Sequence, residues 1–125
     1  MSESIHALAW FEIGVTDFAR AKAFYEALLQ RSIEPMDMGT SMMGFISSAT
    51  GNVNGALVYG DGATPSAQGT IVYFDGGADL AVALARVAPA GGTVALAKTE
   101  IPGGGGFYAH FIDSEGNKIG LHSAG

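Results

Sequence analysis

Phe11–Tyr25 reads FEIGVTDFARAKAFY, and the change of period inside it decides the fold. As far as Val15 the chain is apolar and aromatic, part of a run from Ala7 (ALAWFEIGV) that reads as a β-strand. Thr16 or Asp17 then offers a side-chain oxygen to an orphan backbone N–H, as at a helix start. Beyond it Phe18, Ala21, Phe24, Tyr25, Leu28 and Leu29 recur at spacings of three and four. That spacing predicts one face of an amphipathic helix about three turns long. A strand passing directly into a helix is the opening of a βα unit.

Working outward, Ile33–Met38, Met43–Ser48 and Gly55–Tyr59 are short strand-like runs, punctuated by Gly39, Thr50–Asn54 and Gly60–Gly62. The plan then repeats. Gly69–Phe74 (GTIVYF) reads as a strand, and Asp79 caps a helix carrying Leu80, Ala83, Leu84 and Val87 that stops at Pro89–Gly92. Thr93–Lys98, Phe107–Ile112 and Lys118–His122 are three more strands. Pro102 and Gly103–Gly106 separate the first two, and the turn Asp113–Asn117 (DSEGN) separates the last two. The order is β-α-β-β-β, twice, with Asp17 and Asp79 at corresponding helix starts; residue identity between the halves is poor, so the repeat is one of pattern. The expected class is α+β, a single domain over 1–125 built from modules at about 5–60 and 68–123, with Gly60–Ala67 (GDGATPSA) as linker. Neither half can bury its own sheet face well, so the two should share one core.

Composition narrows the partners. The chain has 125 residues, 48% hydrophobic and none of them cysteine, which excludes disulfides and thiolate metal sites and agrees with a cytoplasmic protein. The segment MSESIHALAW lacks a basic n-region, and no run approaches the ~18 apolar residues of a membrane span, so neither a signal peptide nor a membrane partner is expected. Twelve acidic residues against six Lys and Arg give a net charge of -6 with no basic stripe, which disfavours nucleic acid. Only 14% of residues are charged and 19 are Gly, and a homodimer that covers part of the surface is the expectation.

Three stretches taken in order carry a resemblance: Phe11–Tyr25, Ala88–Val94 (APAGGTV) and Phe111–Leu121 (FIDSEGNKIGL). They resemble the opening strand and helix, the Gly-Gly turn and the closing "D-P-x-G-N" hairpin of the vicinal oxygen chelate superfamily (glyoxalase/bleomycin resistance protein/dioxygenase), with Ser114 where the Pro usually stands. The resemblance implies tandem βαβββ modules forming a curled mixed sheet around a concave cavity. It also implies where metal ligands would stand. A His seven residues before the capping Asp is here Trp10, and a Glu three residues after the turn Asn is here Gly120. The strand opening the second half offers Thr70 and Tyr73, and the fourth strand offers Ala56–Leu57. A catalytic divalent metal needs about three N, O or S ligands from the protein. No metal and no cofactor are therefore expected, and the Lewis-acid chemistry of glyoxalases and dioxygenases is placed in doubt.

Strand alternation identifies what would line the cavity instead. Trp10, Glu12 and Gly14 share one face, leaving Phe11, Ile13 and Val15 for the helix; Lys118, Gly120 and His122 share another, leaving Ile119 and Leu121 for the core. The candidate ligand-binding residues are Trp10, Glu12, Tyr73, Tyr108, Lys118 and His122, with His110 a weaker addition, and Glu12 or His122 is the candidate general base. Each has a structural alternative. Glu12 can pair with Lys118 or Arg20, His122 can be an idle histidine near the C-terminus, His110 can be a hydrogen-bonded structural residue, and Trp10 can be core packing instead of a stacking surface. His6 has no assigned role. Met36, Met38, Met42 and Met43 fill the core or form a pliable wall. Pro102–Gly106 (PGGGG) lacks a GK[ST] ending and a following helix, so it reads as a cavity-rim loop and not a phosphate loop. Three functions compete: a metal-free binder of a small cationic or aromatic molecule, a metal-independent lyase or isomerase, and an accessory domain with a vestigial cavity.

Overall fold

The computed structural model describes residues 6–48, 53–60 and 62–125. Most of the punctuating stretch Thr50–Asn54, position 61 of the linker and the first five residues lie outside it. The elements are β1 (Trp10–Val15), α1 (Phe18–Leu29), β2 (Glu34–Asp37), β3 (Ser41–Ile46), β4 (Asn54–Gly60), β5 (Tyr73–Asp75), α2 (Leu80–Leu84), α3 (Val87–Ala90), β6 (Thr93–Glu100), β7 (Phe107–Ile112) and β8 (Lys118–Ser123). They form an α+β fold of two open, mixed, four-stranded sheets, β1-β4-β3-β2 and β5-β8-β7-β6. β1 runs parallel to β4 and β5 parallel to β8, and the other pairs are antiparallel, so the halves have the same topology.

Asp17, not Thr16, caps α1, accepting from the Arg20 N–H at 3.0 Å. The helix buries Ala21, Phe24, Tyr25 and Leu28. In the second half the single expected helix is two short ones. Asp79 caps α2 through the Ala81 N–H at 2.9 Å, but the helix breaks at Ala85–Arg86. Pro89 has no N–H to donate to the Ala85 carbonyl four residues back, so the helical ladder cannot run through this point. The Arg86 guanidinium instead reaches the Leu28 carbonyl of α1 at 3.1 Å. The expected strand Gly69–Phe74 is also corrected, since only Tyr73–Asp75 joins the ladder. Gly69 at φ +87 turns the backbone before it. Upstream, Ser66 and Val72 accept single bonds from β8, from the Lys118 and Gly120 N–H groups. Similarly, β1 begins at Trp10 and not Ala7, and β2 stops at Asp37, whose carboxylate takes the Gly39 N–H at 2.8 Å where Gly39 adopts φ +91.

Both sheets turn one face to a continuous core. Ile13, Val15, Phe24, Tyr25, Leu28, Ile33 and Leu57 from the first half meet Leu80, Val87, Phe111, Ile119 and Leu121 from the second. Phe11 stands edge-on to Phe74 at 5.5 Å, and Phe24 lies 6.0 Å from Phe111. The other face of each sheet points away from this core.

A polar clasp joins the halves. Buried Asp113 accepts from the Tyr25 hydroxyl at 2.6 Å, from the Glu115 and Asn117 N–H groups at 2.8 Å each and from the Asn117 side-chain amide at 3.0 Å. Burial and the neighbouring Asp113 carboxylate push the Tyr25 hydroxyl well above its ordinary range. Asn117 also donates to the Gly14 carbonyl at 2.8 Å and accepts from Ser66 N–H at 2.9 Å. The Glu115 side chain, fully covered, seats on the start of α1 and holds Arg20 in an ion pair at 2.7 Å. The alternative in which Glu12 pairs with Arg20 is therefore not realised, because the partner of Arg20 is Glu115.

Candidate functional site

The outward face of the first sheet carries Trp10, Glu12 and Gly14 from β1, and the strand registers bring Ala56 and Val58, Phe45 and Met43, and Glu34 and Met36 alongside them. Phe11, Ile13 and Val15 go to the core side. Trp10 is 42% exposed and stands edge-on to Phe45 at 6.1 Å. Its indole N–H donates to Glu12 Oε2 at 3.2 Å, so Glu12 is oriented by its own strand and pairs with neither Lys118 nor Arg20. A hollow of about 460 Å³ opens here, lined by Glu12, Gly14, Met43, Val58 and the segment Gly62–Thr64. The methionines divide: Met36 and Met43 are cross-strand partners on this face, whereas Met42, one residue before Met43, points to the opposite one.

On the outward face of the second sheet Tyr73 lies across β8 to reach β7. Its hydroxyl is 2.6 Å from His110 Nε2, and the two rings are 5.5 Å apart. Gly120 is the residue crossed: it pairs with Tyr73 on one side and with His110 on the other, and a Cβ there would collide with the Tyr73 ring. Tyr108 closes the other side of His110 at 5.5 Å. Burial, then the charge of Lys118, lowers the His110 pKa below its ordinary value of 6.5. His122 Nε2 lies 2.8 Å from the Gly105 carbonyl. A carbonyl only accepts, so that nitrogen carries the proton and pins the glycine loop to β8.

The structure thus brings Trp10 and Glu12 together on one sheet, and Tyr73, Tyr108, Lys118 and His122 on the other. The residue that sequence reading weighed as structural, His110, sits in the middle of the second group. Its position two residues from Tyr108 on the same strand was the available signal.

The side chains do not fit a divalent metal. Position 10 is an indole, position 120 has no side chain and its space is filled by Tyr73, and Ala56 and Leu57 offer no donor. Among the described residues no three His, Asp or Glu side chains converge, and no helix is long and apolar enough to cross a membrane. A separate cleft of about 600 Å³ lies where the halves meet, between Leu8, Phe11, Ile46, Val72 and Phe74.

A family model described as the glyoxalase/bleomycin resistance protein/dioxygenase superfamily matches residues 7–121. No curated protein matches the sequence. Among solved structures, glyoxalase I from Zea mays superposes with a TM-score of 0.73 at 21% identity, over 94% of this chain but 46% of the maize chain. The antibiotic-binding protein TnmS3 from Streptomyces sp. CB03234 gives 0.69 at 21% identity over 98% of both chains. The fosfomycin resistance protein FosX from Listeria monocytogenes gives 0.66 at 17% identity, over 96% of this chain and 92% of that one. The present chain spans just under half the length of the maize protein.

Proposed function

Because the chain belongs to the glyoxalase/bleomycin resistance protein/dioxygenase superfamily, we propose that it binds a small, partly aromatic molecule on the outward faces of its sheets, without the family's metal. One observation carries the reading: large apolar side chains stand uncovered where a metal site would be, with Trp10 at 42% and Tyr73 at 47% exposure. Uncovered apolar surface around a few placed polar groups is the signature of a ligand site. Glu12, oriented by the Trp10 indole, suits the positive end of a cationic aromatic ligand. The fold match to TnmS3, an antibiotic-binding protein, over 98% of both chains supports a small-molecule-binding role. A general-base role for His122 would have to run through Nδ1, because its Nε2 donates to the glycine loop.

In this proposal two protomers pair, so that the first sheet of one and the second sheet of the other form the two walls of a cavity. Support comes from the maize chain, of which this fold covers only 46%: a second copy would supply the remainder. Light scattering should give a dimer mass at micromolar concentration, and a monomer would sink the cross-protomer cavity.

Trp10 is the single tryptophan, so its emission reports on the site directly. Titration with benzyltrimethylammonium should change that emission saturably and raise the melting temperature, since a ligand that binds only the native state stabilises it. If a panel of cationic and neutral aromatic molecules produces neither response, the protein is an accessory domain and the binding proposal fails.

A further inference from the structure

We infer that the outward face of the second sheet is an anion-recognition patch, in which Lys118, His110 and Tyr73 take the acidic oxygen of an aromatic carboxylate. The inference rests on the ligand-binding reading above and names the chemistry of its second wall.

Charge is distributed unevenly between the two faces. The first carries Glu12 and Glu34 and no cation. The second carries Lys118 with His110, His122, Tyr73 and Tyr108, and one carboxylate, Asp75, which sits at the far end of the sheet opposite His122 and accepts from the Gly77 N–H at 2.9 Å. Lys118 is half-buried, and among the described residues it makes no ion pair. The ion pairs among the described residues use other cations: Glu115 with Arg20, Glu26 with Lys22 and Asp79 with Lys98. In a chain of net charge -6, an ammonium left without a carboxylate on the face that carries Tyr73 and His110 is a site for an anion brought from outside.

The Tyr73–His110 pair supplies the directed donor. When His110 is neutral with its proton on Nδ1, Nε2 accepts from the Tyr73 hydroxyl and Nδ1 can donate to a ligand; with the proton on Nε2, that nitrogen donates to Tyr73 and the hydroxyl hydrogen is free instead. When His110 is protonated, Nε2 donates to Tyr73 and the hydroxyl hydrogen is released for the ligand. Every state leaves at least one donor free on the face that carries Lys118. Tyr73 and Tyr108 flank the imidazole at 5.5 Å each and give a planar ligand a ring to lie against. The arrangement depends on Gly120, since any side chain there would push Tyr73 off β8.

The probes are 1-naphthoate and its neutral counterpart 1-naphthamide, followed by NMR of the histidine rings, with His110 assigned from a His110→Gln variant. Naphthoate should shift the His110 signals saturably and raise the pH at which the ring titrates, because a bound anion favours the imidazolium. Naphthamide should bind about ten-fold more weakly, the usual worth of a hydrogen bond gained by a charged acceptor. Lys118→Met should weaken naphthoate about ten-fold and leave naphthamide unchanged, and Lys118→Arg should restore most of the loss. Equal affinity for the two probes, or a Lys118→Met protein that binds naphthoate as the wild type does, overturns the inference. If Trp10 emission still responds to benzyltrimethylammonium in that event, the ligand-binding proposal stands without it; silence from every probe on both faces overturns both.

Discussion

Replacing Glu115 by Gln should cost the protein about 3 kcal/mol at neutral pH. The side chain is fully covered where it meets the first turn of α1. It accepts from the Thr16 and Asp17 N–H groups at 2.9 and 2.8 Å, from the Thr16 and Ser114 hydroxyls at 3.0 Å each, and from Arg20 Nε and Nη2 at 2.7 and 3.0 Å. Burial alone would raise its pKa. The Arg20 guanidinium, then the Asp17 and Thr16 N–H groups and the Ser114 hydroxyl, outweigh it and bring the carboxyl from 4.5 down to about 2. At about 1.4 kcal/mol per pKa unit, that depression corresponds to about 3 kcal/mol held by the ionised form in the folded state. Glutamine keeps the shape but loses the charge, and it turns an N–H toward groups that are themselves donors.

The sign follows from the depressed pKa. The unfolded carboxyl titrates near its ordinary value and the folded one near 2, so the contribution is complete above pH 4.5 and lost as pH falls toward 2. Urea denaturation at fixed protein concentration, run from pH 7 downward, should show the gap between wild type and Glu115→Gln at about 3 kcal/mol near neutrality and closing across that window. A gap that stays constant with pH, or one below about 1 kcal/mol at pH 7, would refute the electrostatic account of the clasp. Arg20→Met should cost less than Glu115→Gln, because the backbone donors remain.

Three further outcomes are expected. Tyr25→Phe removes one of four donors to buried Asp113 and should destabilise by about 1–3 kcal/mol in the same urea assay; a change within error would mean that the remaining donors suffice. Glu12→Gln should weaken benzyltrimethylammonium about five-fold in Trp10 fluorescence, from a Coulomb contribution on the order of 1 kcal/mol at a wet surface, and leave a neutral aromatic of similar shape nearly unaffected. Gly120→Ala should displace the Tyr73 ring and cost about 1–3 kcal/mol. With its cover loosened, the His110 titration should move back up toward 6.5, and an unmoved NMR titration curve would mean that the ring does not shield it.

Element order was legible because it rests on local chemistry. The three- and four-residue spacing after Asp17, the capping oxygens of Asp17 and Asp79 and the turn glycines each act within a few residues. What failed also has local causes that need the fold to be weighed. Pro89 breaks the second helix only because its ring meets a carbonyl one turn back, and an amphipathic pattern counts apolar positions without asking whether each residue can donate. β5 is short because its length is set by contact with β8, and the apolar run GTIVYF reads as a strand whether or not a partner runs beside all of it.

Within the outward faces, period-two alternation placed Trp10 and Glu12 together, since one register step would have moved every side chain of β1 to the other side. Glu115 and Gly120 could not be read this way. Glu115 contacts residues 16, 17 and 20, on the far side of the chain in sequence, and a turn glutamate looks like any solvated acid until α1 is docked on it. Gly120 reads in sequence as a lost ligand. In the folded chain the missing side chain is the opening through which Tyr73 crosses β8, so a glycine where the resemblance implies a carboxylate is what permits the Tyr73–His110 bond. Putting a Glu back at 120 would therefore displace Tyr73 before it could restore a metal ligand, and with Trp10 unchanged on the other sheet the donor set would still fall short.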